Sequence, residues 1–185
     1  MEISDIFLEL KPYTTVLHVV GAIVGMGTAI ASDIMFSFYS RDRIFTAPEK
    51  KILERLSRII WISLAIIIVS GIALFLSDPT TYAASSKFLI KMTIVGILTF
   101  NGYILSRWIQ PHIARGNFFT SKRERSARMF AFACGAVSLV SWCSTFGLGI
   151  LGSTTLSYLT LASLYVVALL GAIAIALIVE KIEFE

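Results

Sequence analysis

The stretch "FLIKMTIVGILTFNGYILSRW", residues 88–108, is almost wholly apolar, yet it carries Lys91 near one end and Asn101 past its middle. As a helix rising about 1.5 Å per residue it spans a hydrocarbon core of about 30 Å. The composition around it agrees. The chain has 185 residues, 56% hydrophobic and only 15% charged, with a mean hydropathy of +0.81. A soluble domain is about one quarter charged. The sequence therefore predicts an all-α polytopic membrane bundle in one domain.

Five stretches meet the length and apolarity criterion: residues 13–38, 57–76, 88–108, 128–151 and 156–179. Ahead of the first, Ile3, Ile6, Phe7 and Leu10 form an apolar helical face that Pro12 is expected to stop, giving a short interfacial helix over 3–11. The acidic start, with Glu2, Asp5 and Glu9, lacks the basic region of a signal peptide.

Loop charges predict the orientation. The 39–58 connection holds Arg41, Arg43, Lys50, Lys51, Arg55 and Arg58. The connection after span three holds Arg115, Lys122, Arg123, Arg125 and Arg128, with Arg107 at the helix end. The 77–87 loop has only Lys87, and residues 152–155 carry no charge. The positive-inside rule then places the N-terminus outside and the C-terminus in the cytoplasm; a bacterial-type inner membrane is the expected location. The net charge of +4 is accounted for by these loops beside anionic lipid, so no nucleic-acid partner is expected.

Both basic loops end in a helix-start pattern. "TAPE" (Thr46 to Glu49) and "SKRE" (Ser121 to Glu124) each set a hydroxyl three residues before a glutamate. Helix two is expected over about 47–76. A faint repeat, "SRDRIFT" (40–46) against "ARGNFFT" (114–120), has an offset that sets His18 level with Lys91 and Asp33 level with Arg107.

Ionisable groups within spans are costly and are expected to face the bundle. His18 shares a helix side with Gly21, Ala22, Gly25, Ala29 and Ser32, and Gly21 with Gly25 makes a close-approach GxxxG pair. Its readings are a haem or metal ligand, a proton acceptor, or an interhelical hydrogen bond. Lys91 either snorkels to the outer headgroups or shares a polar pocket with His18. The pocket reading predicts that spans one and three are neighbours. Asn101, the third candidate ligand-binding residue, reads first as helix–helix glue. Asp33 is expected to form a structural ion pair with Arg107 or Arg58 at the cytoplasmic boundary. Cys134 and Cys143 lie on opposite sides of one helix and cannot bridge each other. Trp61, Trp108, Tyr13 and Tyr39 suit aromatic belts. Cys134, Ser138, Ser141 and Thr145 on helix four, and Ala168, Ala172 and Ala176 on helix five, read as packing faces. Small-residue faces and an odd helix count fit a homodimer.

Three segments carry a resemblance. "VLHVVGAIVGMGTAI" sets a histidine early in span one, "ERLSRIIWISLAIIIVSGIALFL" has a late Ser-Gly, and "SSKFLIKMTIVGILTFNGYILSRWIQP" has Leu-x-Lys, then Asn, then Pro. Over roughly residues 13–111 the chain resembles the copper-resistance D type membrane domain and its small relatives. More distantly it resembles the bacterial membrane protoporphyrinogen oxidases. The resemblance implies a helical bundle with copper handling or a haem-associated oxidation, so copper or haem b would be the cofactor. Only His18 and Lys91 match positions of functional interest. For copper, the softer ligands near His18 would be Met26 and Met92. The two histidines, His18 and His112, lie a membrane thickness apart, so one haem cannot take both. The readings in competition are a ligand-, metal- or haem-binding redox or transport domain, an assembly or scaffold subunit, and a haem-dependent oxidase.

Overall fold

A computed structural model describes residues 3–40, 45–114, 118–119, 121–152 and 154–184. Among these, every regular element is helical: α1 (Ile3–Ser40), α2 (Ala47–Ser77), α3 (Pro79–Ala84), α4 (Ser86–Ile104), α5 (Gln110–Ala114), α6 (Arg125–Ile150) and α7 (Tyr158–Phe184). A π-helical turn, Leu105–Ile109, joins α4 to α5, and a 3-10 turn, Lys122–Glu124, precedes α6. Five helices are long and apolar enough to cross a membrane. The protein is an integral membrane protein of the multi-pass kind. Arg41, Arg43, Arg115 and much of both repeat motifs lie outside the described residues.

The local starts and stops follow from the residues. Thr46 precedes α2, and its N–H donates to Glu49 Oε2 at 2.7 Å, with Pro48 in the first turn. The second motif works differently. Ser121 Oγ accepts from the Arg123 N–H at 3.2 Å, its carbonyl accepts from Glu124 N–H, and a 3-10 turn intervenes before α6. Pro12 does not end the first helix, and the expected segment 3–11 is continuous with span one. Near the proline, Thr14 Oγ1 donates to the Leu10 and Lys11 carbonyls and Thr15 Oγ1 to Lys11 O.

The helices pack in an order that differs from expectation. α1 lies along α2 and also meets α6, while α4 packs on α6 and α7. Spans one and three are thus not packed side by side; span four fills that place. The two glycines of the GxxxG pair explain it. A Cβ on Gly21 would press on Ile66 and Ile67 of α2, at 3.0 and 3.2 Å. A Cβ on Gly25 would sit 2.3 Å from the Trp142 ring of α6. The pair thus serves two different partners. Trp142 is buried with Ala29, Leu64, Ile67 and Leu98 in the central core.

Two further cores flank it. Ile90, Ile94, Leu161 and Tyr165 join α4 to α7. Phe45, Ile109, Phe118, Phe119 and Ala131 form an aromatic-rich plug at the end that bears the basic loops. α7 is the least covered of the five long helices, and Leu159, Val167, Ile175 and Ile182 point away from the bundle. In a bilayer these side chains meet lipid, whose tails are as apolar as they are.

Candidate functional site

One polar layer lies toward the end of the bundle away from the basic loops, where α1, α2, α4 and α6 converge. His18 Nδ1 stands 2.9 Å from Ser70 Oγ, and Ser70 Oγ donates to the Ile66 carbonyl at 2.6 Å. A hydroxyl has one proton. Because Ser70 spends it on Ile66, Ser70 must accept from His18, which places the imidazole proton on Nδ1. Nε2 of neutral His18 is therefore a bare acceptor. The Cε1 edge of the ring rests on α2, 3.5 Å from where a Gly71 Cβ would stand. The late Ser-Gly of span two is thus the seat of the histidine.

Lys91 belongs to the same layer. It is half-buried, its Nζ rests on α6 at 3.7 Å from a Cβ position on Gly149, and it lies within electrostatic range of His18. One turn away, Lys87 Nζ donates to the carbonyls of Leu151 and Gly152 just past the end of α6. Carbonyls at a helix C-terminus are unsatisfied and carry partial negative charge, so Lys87 is explained as their cap. Lys91 is left over: among the described residues it makes no hydrogen bond or ion pair.

The remaining candidates separate. Asn101 is buried and its Nδ2 donates to the Cys134 carbonyl at 2.9 Å, tying α4 to α6. Met92 is 50% exposed on the outside of α4, and Met26 packs against the central core. His112 is at the other end, its Nδ1 donating to Trp108 O at 2.7 Å. Asp33 and Arg107 are not brought together: Asp33 Oδ2 is buried without a hydrogen-bond partner, while Arg107 is exposed.

These positions do not assemble a copper site. Met92 faces away from the bundle, and among the described residues no three His, Cys, Asp or Glu side chains converge on a point. For haem the layer offers His18 alone, with its Cε1–Nδ1 edge against α2.

The residues that sequence reasoning missed are Arg128 and Glu180. Their ion pair, Nε to Oε1 at 3.2 Å, leaves the two side chains only 6% and 2% exposed. Arg128 Nη1 also donates to the carbonyls of Phe118 and Ser121, and the guanidinium stacks on Phe184. Arg128 reads as one more basic loop residue in the sequence. The available signal was Glu180, an acid directly behind the apolar run "AIALIV".

Compared with protein-family models, curated proteins and solved structures, the chain matches none.

Proposed function

We propose that this membrane protein binds a small anionic group, a carboxylate or phosphate, in the layer formed by His18, Ser70, Lys91 and Gly149. The observation that carries the reading is the unpartnered Lys91 ammonium. A cation placed beside a second basic group, with no carboxylate opposite, invites an anion from elsewhere. Lys87 satisfies α6 without help, so Lys91 is surplus to the helix end. Gly149 leaves room beside the ammonium. His18 adds a second donor when protonated, since Nδ1 is held by Ser70 and Nε2 then gains a proton. By the loop charges this layer faces the outer leaflet.

The reading is narrower than the copper handling or haem oxidation implied by the resemblance to the copper-resistance D group. It requires neither group. The test uses the detergent-purified protein with succinate and inorganic phosphate as probes, and it follows the unfolding temperature. At least one probe should raise it in the wild type and fail to do so in Lys91→Gln. Equal shifts in both proteins, or none in either, would sink the proposal. An absorption spectrum of the same sample tests the haem alternative directly, because a Soret band reports bound haem.

A further inference from the structure

From the burial of Asp33 between spans one and four we infer that this residue is a proton-binding site, distinct from the Lys91 layer. Asp33 stands near the basic-loop end of α1, seven positions before its last residue, about 10 Å along the axis. Its Oδ2 is buried with no hydrogen-bond partner. Its Oδ1 faces α6, 3.6 Å from where a Gly135 Cβ would stand. The Oδ2 oxygen has lost water and gained no partner in exchange. A buried charge of this kind is tolerated only if it is paired, or if it takes up a proton.

Among the described residues, the neighbouring helices supply no pairing charge. On α2, Arg55 and Arg58 are exposed, and in the π-helical turn after α4 Arg107 is exposed. On α6, Arg128 is committed to Glu180 and to two carbonyls. The other titratable group of that face, Cys134, is a buried thiol whose backbone carbonyl is held by Asn101. None of these forms an ion pair with Asp33. The proton is the one occupant that removes the charge without further ligands. Such a carboxyl releases and takes up protons within the membrane protein rather than locking helices together.

The consequence for stability has a definite sign. A carboxyl that is protonated when folded and ionised when unfolded stabilises the fold at low pH. That contribution is lost as the pH rises and the buried proton must leave.

The decisive measurement needs no substitution. The chain holds four aspartates, Asp5, Asp33, Asp42 and Asp78. Asp78 lies outside the spans, and hydrogen bonding by Thr81 holds its carboxyl below the ordinary range. With aspartate carbon-13-labelled at the side-chain carboxyl, infrared spectra of the full chain in liposomes separate the acid from the carboxylate. A labelled acid band should persist at neutral pH, vanish on alkalinisation, and be missing from Asp33→Asn. The wild type should also lose more stability than Asp33→Asn as the pH is raised. Four labelled carboxylates at neutral pH, with no acid band, would overturn the inference. So would an acid band that survives in Asp33→Asn.

Discussion

Gly25 shows how much a single hydrogen atom decides in this bundle. The Trp142 ring occupies the space in which a side chain at position 25 would begin, 2.3 Å from a Cβ. Real contacts of that length do not occur, so either the ring or the backbone of α1 must move. The indole is 2% exposed and enclosed by Leu64, Ile67 and Leu98, so it has little room to yield. Gly25→Ala should therefore cost about 1–3 kcal/mol, the range for overpacking a well-filled core. Trp142→Leu will itself be destabilising, but the two changes combined should cost less than their sum, because the smaller side chain frees the space. Unfolding of the four proteins in mixed detergent measures this cycle. Strict additivity would mean that Trp142 does not press on α1. The comparison with Gly27, where nothing stands within 4 Å of a Cβ position, supplies a control: Gly27→Ala should be tolerated.

Between elements, the strongest polar tie is the one joining α6, α7 and the segment before α6. Arg128 holds Glu180 across the two helices, and it also satisfies the Phe118 and Ser121 carbonyls. Removing one partner strands the other as a buried charge. Arg128→Gln or Glu180→Gln should cost about 3–5 kcal/mol, whereas replacing both with apolar residues, Arg128→Met with Glu180→Leu, should cost far less. If the double replacement is as damaging as either single change, the carbonyl bonds of Arg128 matter more than the pair. The way this tie escaped the sequence is instructive. Apolar length revealed the five spans, because the bilayer imposes a length, and the capping box at Thr46 and Glu49 revealed the start of α2, because it has a spacing. Which helix stands beside which is a property of faces meeting in space. Gly21 and Gly25 announced a close neighbour but did not say that α2 would take one glycine and α6 the other. Asn101 read correctly as a tie between helices, since a buried amide must find a partner, yet its acceptor, the Cys134 carbonyl, is a backbone atom that no side-chain pattern marks. Asp33 with Arg107 shared a depth, and depth says nothing about the direction in which a side chain points.

At the scale of the molecule, the two ends of the bundle differ in kind. One end is closed by an aromatic plug, with Phe36, Phe45, Phe119 and Phe184 in ring contact and the Arg128–Glu180 pair beside it. The other end carries short connections, the small helix α3, and the layer with Lys87, Lys91 and His18. The basic residues Lys50, Lys51, Arg55, Arg58, Arg123 and Arg125 all belong to the plugged end. The positive-inside rule counts such residues in short loops, so the plugged end should lie in the cytoplasm and the Lys91 layer should face outward. Cysteine labelling tests this in intact cells. Cys143 is exposed on α6, so it is first replaced by serine, and Cys134, which is buried, is left in place. Ala83→Cys, on the exposed side of α3, should then react with a membrane-impermeant maleimide added outside. Lys51→Cys, one turn into α2, should react only after the membrane is opened. The reverse pattern would turn the bundle over. It would place Lys91 toward the cytoplasm and Asp33 toward the exterior, and the anion probes would then have to be supplied from the other side.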